Sequence, residues 1–222
     1  MTKDDTAPRK YASPPCMAGD IAPDLSGTAA MDAEEMAARR RAARARLLSE
    51  RAAMGPKARA TVDRAIARHL DQVLKERFNS AKGMILAGFW PIRGEVDLMG
   101  WLARQSAAGV QIALPVVAAK DAPLIFRPWS PDAEMRPGPW NIPEPATDAQ
   151  IMPQIVLAPL VGWDAARFRM GYGGGFYDRT FAALRPCPYG IGIGHEAGRL
   201  PSISPQPHDI ALDLVITEAG AV

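Results

Sequence analysis

The chain has 222 residues, 48% of them hydrophobic and 23% charged, with a formal net charge of +2. That length suits one substantial core, the composition is that of an ordinary globular domain, and so small a charge gives no overall pull toward nucleic acid or a membrane surface. The two cysteines, Cys16 and Cys187, are too few for a disulfide framework and lack metal-site spacing, so a reducing cytoplasm is the expected setting.

No apolar run approaches the roughly 20 residues of a membrane span, and the acid-containing start "MTKDDTAPRK" is not expected to be a secretory signal. Residues 1–31 are rich in Pro, Ala, Ser, Asp and Gly without a sustained period, which predicts a flexible extension and leaves 32–222 as a single domain. From Asp32 the composition turns to Ala, Arg and Glu, strong helix formers. Asp32 is a candidate cap, with Glu34 and Glu35 in the first turn. "MGP" at 54–56 breaks this helix, and a second is expected to run to about Leu74, with Ile66, Leu70 and Val73 or Leu74 on one face. From Met36 to Arg68 ten Lys/Arg stand against Glu50 and Asp63 alone, so the rest of the chain is acidic overall. A solvated face is the ordinary fate of such a run, and no aromatic residue interleaves the arginines as a nucleic-acid surface would require.

Further on, strand-like and helix-like segments alternate. "MILAGFW" (84–90) is apolar throughout, as a strand buried on both faces is. Residues 96–109 have helical spacing at Leu98, Trp101 and Leu102 and end on Gly109. Strands are predicted at "VQIALPVV", "LIFRPW", "IVLAPLVGW" (155–163), "YGIGIG" (189–194) and "LDLVITE" (212–218), and a helix over 175–184. The alternation predicts an α/β domain with a mostly parallel sheet.

The densest chemical text is "RMGYGGGFYDR", residues 169–179. A strand entering a glycine-rich turn and then a helix presents free backbone N–H groups at the positive end of the helix dipole, which suits phosphate. Arg169 and Arg179 add full charges, and Asp178 could hold Mg²⁺ on a polyphosphate. The stretch fits neither the Walker nor the Rossmann fingerprint. A tight turn serving only packing is the plainer alternative, which the flanking arginines and acid outweigh.

"APLVGWDAARFRMGYGGGFYDRTF" resembles the signature of the 5-formyltetrahydrofolate cyclo-ligases, also called 5,10-methenyltetrahydrofolate synthetases. The similarity extends over most of residues 36–219, through "PIRGEVDL" (91–98), "FRPW", "GPWNIPEP" (138–145) and "PHDIALDLVITE" (207–218). It implies a single three-layer α/β domain similar to ribose-phosphate isomerases and CoA transferases. It also implies an ATP- and Mg²⁺-dependent reaction in which the N5-formyl oxygen is phosphorylated and N10 closes the ring. A monomer acting on ATP and 5-formyltetrahydrofolate is expected, with no nucleic-acid or membrane partner.

Carried over residue by residue, Arg169, Gly171, Tyr172, Gly173, Gly174, Gly175, Phe176 and Tyr177 line the ATP phosphates, with Arg169, Tyr177 and Asp178 as catalytic residues. Tyr172 to Phe176 also border the folate, Glu95 grips the pterin and Trp90 contacts substrate. Asp178 and Asp213 match the positions that hold Mg²⁺. The family's N-terminal K-x-x-x-R phosphate motif falls near Arg39 and Arg40, although Glu35 and Met36 stand four residues before them. Gly198 stands about where the family has a Gln. A domain of this type that binds RNA or a protein partner instead of catalysing, or one that acts on another formyl or amide substrate, is the rival reading. His208 is read as a structural partner of the final strands and His69 as helix surface, while His195 suits either a structural or a functional role.

Overall fold

Residues 33–222 are described by a computed structural model; the expected extension over 1–31 and the candidate cap Asp32 lie outside the described residues. Two long helices come first, α1 (Ala33–Ala53) and α2 (Pro56–Phe78). Gly55 and Pro56 separate them, with Pro56 in the first turn of α2, where its missing N–H costs nothing. The second helix runs four residues beyond Leu74, to a left-handed Asn79 whose N–H returns to Leu74 O. Its buried stripe is Val62, Ala65, Ile66, Leu70, Val73 and Leu74, the predicted face widened by a turn.

There follow β1 (Ile85–Ala87), α3 (Met99–Ala107), β2 (Gln111–Val116), β3 (Ile125–Trp129), β4 (Met135–Pro137), β5 (Pro143–Pro145) and β6 (Ile155–Pro159). The chain continues through β7 (Gly162–Trp163), β8 (Arg169–Met170), α4 (Phe176–Ala183), β9 (Tyr189–Ile193), β10 (Leu214–Thr217) and β11 (Gly220–Ala221). One seven-stranded sheet has the order β11-β10-β9-β6-β1-β2-β3. Its inner strands are parallel, while β11 and β3 at the edges run antiparallel to β10 and β2. The predicted mostly parallel α/β architecture is what the chain adopts. The predicted strand over 155–163 is divided into β6 and β7, and the β4–β5 hairpin around "GPWNIPEP" had no strand-like pattern.

Alternation across the pleat explains the continuous apolar runs. Ile155 and Leu157 of β6 join a core with Leu86, Ile112, Ile191 and Ile216 that α2 and α3 cover. Val156 and Ala158 face the other way, with Ala87, Ala113, Val215, Trp163, Leu212 and Phe181 of α4. Both faces are dry, so both sets must be apolar.

The topology also places the site. From β1 the chain moves through α3 to β2 on one side, whereas β6 lies on the other side of β1. At such a switch point the loops leaving the carboxyl ends of two adjacent strands diverge and open a crevice. The segments leaving these ends are 88–98 after β1 and 160–175 after β6, which carry Glu95 and the glycine loop.

Candidate active site

The loop after β6 is held by Asp164, whose Oδ1 accepts from Ala166 and Phe168 N–H at 3.1 and 3.2 Å. Its Oδ2 accepts from Ile203 N–H at 3.0 Å, tying this loop to the segment before β10. Beyond β8 the glycine turn takes left-handed backbone at Gly173 (φ +96°) and Gly175 (φ +63°). Gly175 is the N-cap of α4 and supplies no side-chain cap, so among the described residues no side chain occupies the first-turn N–H groups. A Cβ on Gly174 would stand 2.8 Å from the Phe176 ring, whereas one on Gly171 meets nothing within 4 Å.

Helix α1 lies against this turn, and its arginines divide by face. Arg39 pairs with Glu35 at 2.8 Å on the exposed side, away from the loop. Arg40 donates to both carboxylate oxygens of Asp209, at 2.6 and 3.3 Å, and to Ser204 O at 3.1 Å. One turn on, Arg44 donates from Nε to Gly171 O at 2.6 Å. The i, i+4 pair on the loop face is therefore Arg40 and Arg44. The spacing was present in the sequence but is hidden there among the six arginines of residues 39–51 (Arg39, Arg40, Arg41, Arg44, Arg46, Arg51). Burial and the neighbouring Arg40 lower the Arg44 pKa.

Two turns further, Arg51 is buried and donates to Leu160 O at 3.2 Å and to the Tyr172 hydroxyl. That hydroxyl and the Glu95 carboxyl lie near enough to shift one another electrostatically. Glu95 is itself buried, with Oε2 accepting from Ile92 N–H at 3.0 Å. Burial pushes its carboxyl up to about 7, against the opposing pull of Ile92 N–H, Arg51 and Tyr172. Burial and Glu95 push the Tyr172 hydroxyl up to about 12. Glu95 and Tyr172, far apart in sequence, are thus brought together, with Arg51 between them. Trp90, on the segment between β1 and Glu95, is half-buried and packs on the α2 side of the core.

Below the turn, Arg169 is buried, donates to Ile210 O at 3.0 Å and lies 2.9 Å from Asp178 Oδ1. The alignment of that second contact is that of an ion pair rather than a hydrogen bond. Its guanidinium faces the Tyr177 and Phe181 rings at 5.8 and 5.5 Å. Burial lowers its pKa while Asp178, Tyr177 and Asp209 oppose the change. Burial, and then Glu95, raises the Tyr177 hydroxyl. Arg179 turns back to Gly174 O and covers the Phe176 ring at 5.1 Å. The exposed Trp140, on the β4–β5 hairpin, meets the same ring edge-on at 5.9 Å.

The acids fall into two networks. Asp178 Oδ1 also accepts from Ile210 N–H at 3.1 Å, and the adjacent Asp209 acts on Arg169, so these two carboxylates border one arginine. Burial raises the Asp209 carboxyl, but Arg40 and Gln206 N–H outweigh it and hold it low. Asp213 instead accepts from Gly190 N–H at 2.7 Å where β9 and β10 begin, and faces Arg167 and Arg77. Asp178 and Asp213, the expected pair, have no common partner among the described residues, whereas Asp209, in the same "PHDIALD" stretch, borders Arg169 together with Asp178. Gly198 has a packing reason: a Cβ there would stand 2.9 Å from Val161 O. His195 is buried just beyond β9, with neither ring nitrogen hydrogen-bonded among the described residues, and burial lowers its pKa.

This arrangement has relatives. A sequence profile of the 5-formyltetrahydrofolate cyclo-ligase family matches residues 36–218. The 5-formyltetrahydrofolate cyclo-ligase of Escherichia coli K12 is 30% identical over 141 residues, 60% of this chain and 76% of that protein. That of Haemophilus influenzae is 24% identical over 157 residues, 68% and 82% of the two chains. Among solved structures, the 5,10-methenyltetrahydrofolate synthetase of Aquifex aeolicus superposes with a TM-score of 0.70 at 21% identity, over 82% of this chain and 91% of that one. The Mycoplasma pneumoniae synthetase gives 0.63 at 21% identity, over 81% and 98%. With fold, motif order and profile in agreement, the chain belongs to the 5-formyltetrahydrofolate cyclo-ligase family and is an enzyme that converts 5-formyltetrahydrofolate to 5,10-methenyltetrahydrofolate.

Proposed function

We propose that the two substrates of this ATP-dependent ligase meet across the glycine turn, with ATP phosphates on the α1 side and the folate ring on the Glu95 side. The observation that carries the reading is that α1 reaches both halves: Arg40 and Arg44 touch the phosphate side of the site, and Arg51 touches Tyr172 on the other. Phosphates would take the open N–H groups of Gly173 to Tyr177 and the α4 dipole, with Arg40 and Arg44 exchanging Asp209 and Gly171 O for phosphate oxygens. The pterin's adjacent N–H and NH₂ donors suit an ionised Glu95, which accepts them as a pair. The exposed ring of Trp140 and the Phe176 beside it offer flat apolar surface to a substrate ring.

The chemistry follows from that placement. The N5-formyl oxygen attacks the γ-phosphorus, its P–O bond forms as the bond to ADP breaks, and N5 takes the positive charge. N10 then attacks the formyl carbon, loses its proton, and the C–O bond to phosphate breaks, leaving the methenyl bridge and inorganic phosphate. The protein's part is alignment and charge neutralisation.

Mg²⁺ prefers oxygen ligands and is commonly held by one or two carboxylates together with substrate phosphates. Asp178 and Asp209 fit that donor set, since both border the loop and Arg169. Bound there, the ion would neutralise the transferring phosphate. Asp213, the other acid implied by the family motif, would have to exchange its bond to Gly190 N–H to join them. Turnover titrated with Mg²⁺ tests the assignment: Asp178→Asn and Asp209→Asn should each lose most activity and need more metal, and Asp213→Asn should lose far less. A severe metal defect in Asp213→Asn with normal behaviour of Asp209→Asn would return the metal to the Asp178–Asp213 pair.

A further inference from the structure

We propose that Arg51 is a positioning residue for the folate half of the reaction, fixing through Tyr172 and Glu95 the acceptor that the folate ring meets. The proposal rests on the reading that Glu95 receives the pterin. Arg51 is 6% exposed, yet among the described residues its guanidinium reaches no carboxylate in direct contact. One end is fixed to Leu160 O just beyond β6, and the other holds the Tyr172 hydroxyl, with its carbon 5.6 Å from the centre of the Tyr172 ring. Because that hydroxyl accepts from Arg51, its own proton is left for Glu95, which lies near enough to act on it electrostatically. Arg93 covers the same ring at 5.5 Å, so two cations act on Tyr172.

A buried cation with no direct counterion is costly unless a nearby charge offsets it. Glu95 is that charge. Among the described residues the titratable or charged groups acting on it are Arg51 from α1, Tyr172 from the glycine turn and Tyr177 from α4, with Arg93 over the Tyr172 ring and Arg59 beside Gly94; of the cations, Arg51 is the one whose charge pulls on the carboxyl. A neutral carboxyl could accept only one of two ring donors while presenting its own O–H to the other. Burial alone drives Glu95 toward that neutral form, and Arg51 with Tyr172 opposes it near neutrality. Arg51 and the phosphate-side pair Arg40 and Arg44 share one helix, so α1 contacts both halves of the site.

The test is kcat/KM for 5-formyltetrahydrofolate as a function of pH through the neutral range, read from methenyl absorbance, together with the KM for ATP. Arg51→Met should move the acid limb to higher pH by about one unit, since a nearby opposite charge lowers a carboxyl pKa by about that much or more. It should also raise the folate KM more than the ATP KM. Arg51→Lys should recover part of the shift, and Tyr172→Phe, which deletes only the hydroxyl, should move the limb the same way by less. An acid limb unmoved in folded Arg51→Met, or equal losses at all pH values, would overturn the proposal and leave Arg51 a packing residue. If Arg51→Met does not fold, an unmoved limb in Tyr172→Phe overturns it. Glu95→Gln separates the premise: unimpaired folate binding there refutes the Glu95 reading itself, whereas lost folate binding with an unmoved Arg51→Met limb refutes Arg51 alone.

Discussion

Gly173→Ala isolates the backbone of the glycine turn from every other contribution to the site. At φ +96° a residue with a Cβ is strained, at a cost of about 1–3 kcal/mol. The added methyl itself meets no obstacle, since the nearest atom is Arg44 Cζ at 3.7 Å, an ordinary contact. The whole penalty therefore falls on the conformation. The turn is exposed at Gly173 and Gly174, so it should relax to a new path rather than unfold the domain. If ATP binding needs the original path, the cost reappears in affinity as roughly a 5- to 150-fold rise in the ATP KM, at about 1.4 kcal/mol per factor of ten. Methenyl formation at saturating 5-formyltetrahydrofolate with varied ATP measures it, and a thermal melt checks that the fold is kept. The same methyl at Gly171, where φ is ordinary and space is open, should cost far less. An unchanged ATP KM in Gly173→Ala, or equal losses at both positions, would refute the claim that left-handed backbone at this residue shapes the phosphate site.

Gly198→Gln, which introduces the residue type the family has near this position, should destabilise rather than improve the enzyme. Its Cβ would meet the Val161 carbonyl at 2.9 Å, backbone that cannot turn aside, so overpacking of about 1–3 kcal/mol should lower Tm by several degrees; an unchanged or higher Tm would show that the segment adapts. Glu95→Gln tests burial of the acid through stability alone. The folded carboxyl titrates at about 7 against an ordinary 4.5, so its favourable contribution is complete below the unfolded value and lost as pH rises through about 7. The substitution should therefore stabilise the protein more at pH 8 than at pH 5, as guanidinium titrations at the two pH values would show; an equal effect at both would mean that Glu95 titrates normally.

Much of the fold was legible because both faces of the sheet are dry. A strand buried on two sides must be almost wholly apolar, and β6 is, as is β10 up to Thr217, so their runs stand out without a period. The break between β6 and β7 was not legible, because Leu160 and Val161 are as apolar as their neighbours. The turn there comes from packing: a Cβ on Gly162 would meet Leu47 of α1 at 2.8 Å, so helix and loop approach at the one residue small enough. The β4–β5 hairpin escaped for a different reason. It is anchored by charge rather than by alternation, with Glu144 receiving Arg127 and Arg136 at 3.0 Å each.

The same division runs through the site. The glycine turn was readable because the constraint is local: left-handed backbone next to a helix start needs glycine at fixed spacing, and nothing distant has to be known. Arg44, Arg51 and Asp209 carry no such local mark. An arginine on the loop face of α1 and one on its solvent face have the same sequence neighbours, and Arg39 beside Arg40 shows that adjacency decides nothing. What separates them is the face of the helix on which each stands, and the loop face is the one on which Leu47 packs close to Gly162. Asp209 and Asp213 differ in the same way. Four residues apart in one motif, one stands where the 203–210 segment crosses Arg169, and the other where β10 has begun to pair with β9. A charged residue's partner therefore depends on which helix face the fold buries, and on α1 the face that packs Leu47 close to Gly162 also carries Arg40, Arg44 and Arg51 to their partners at the site.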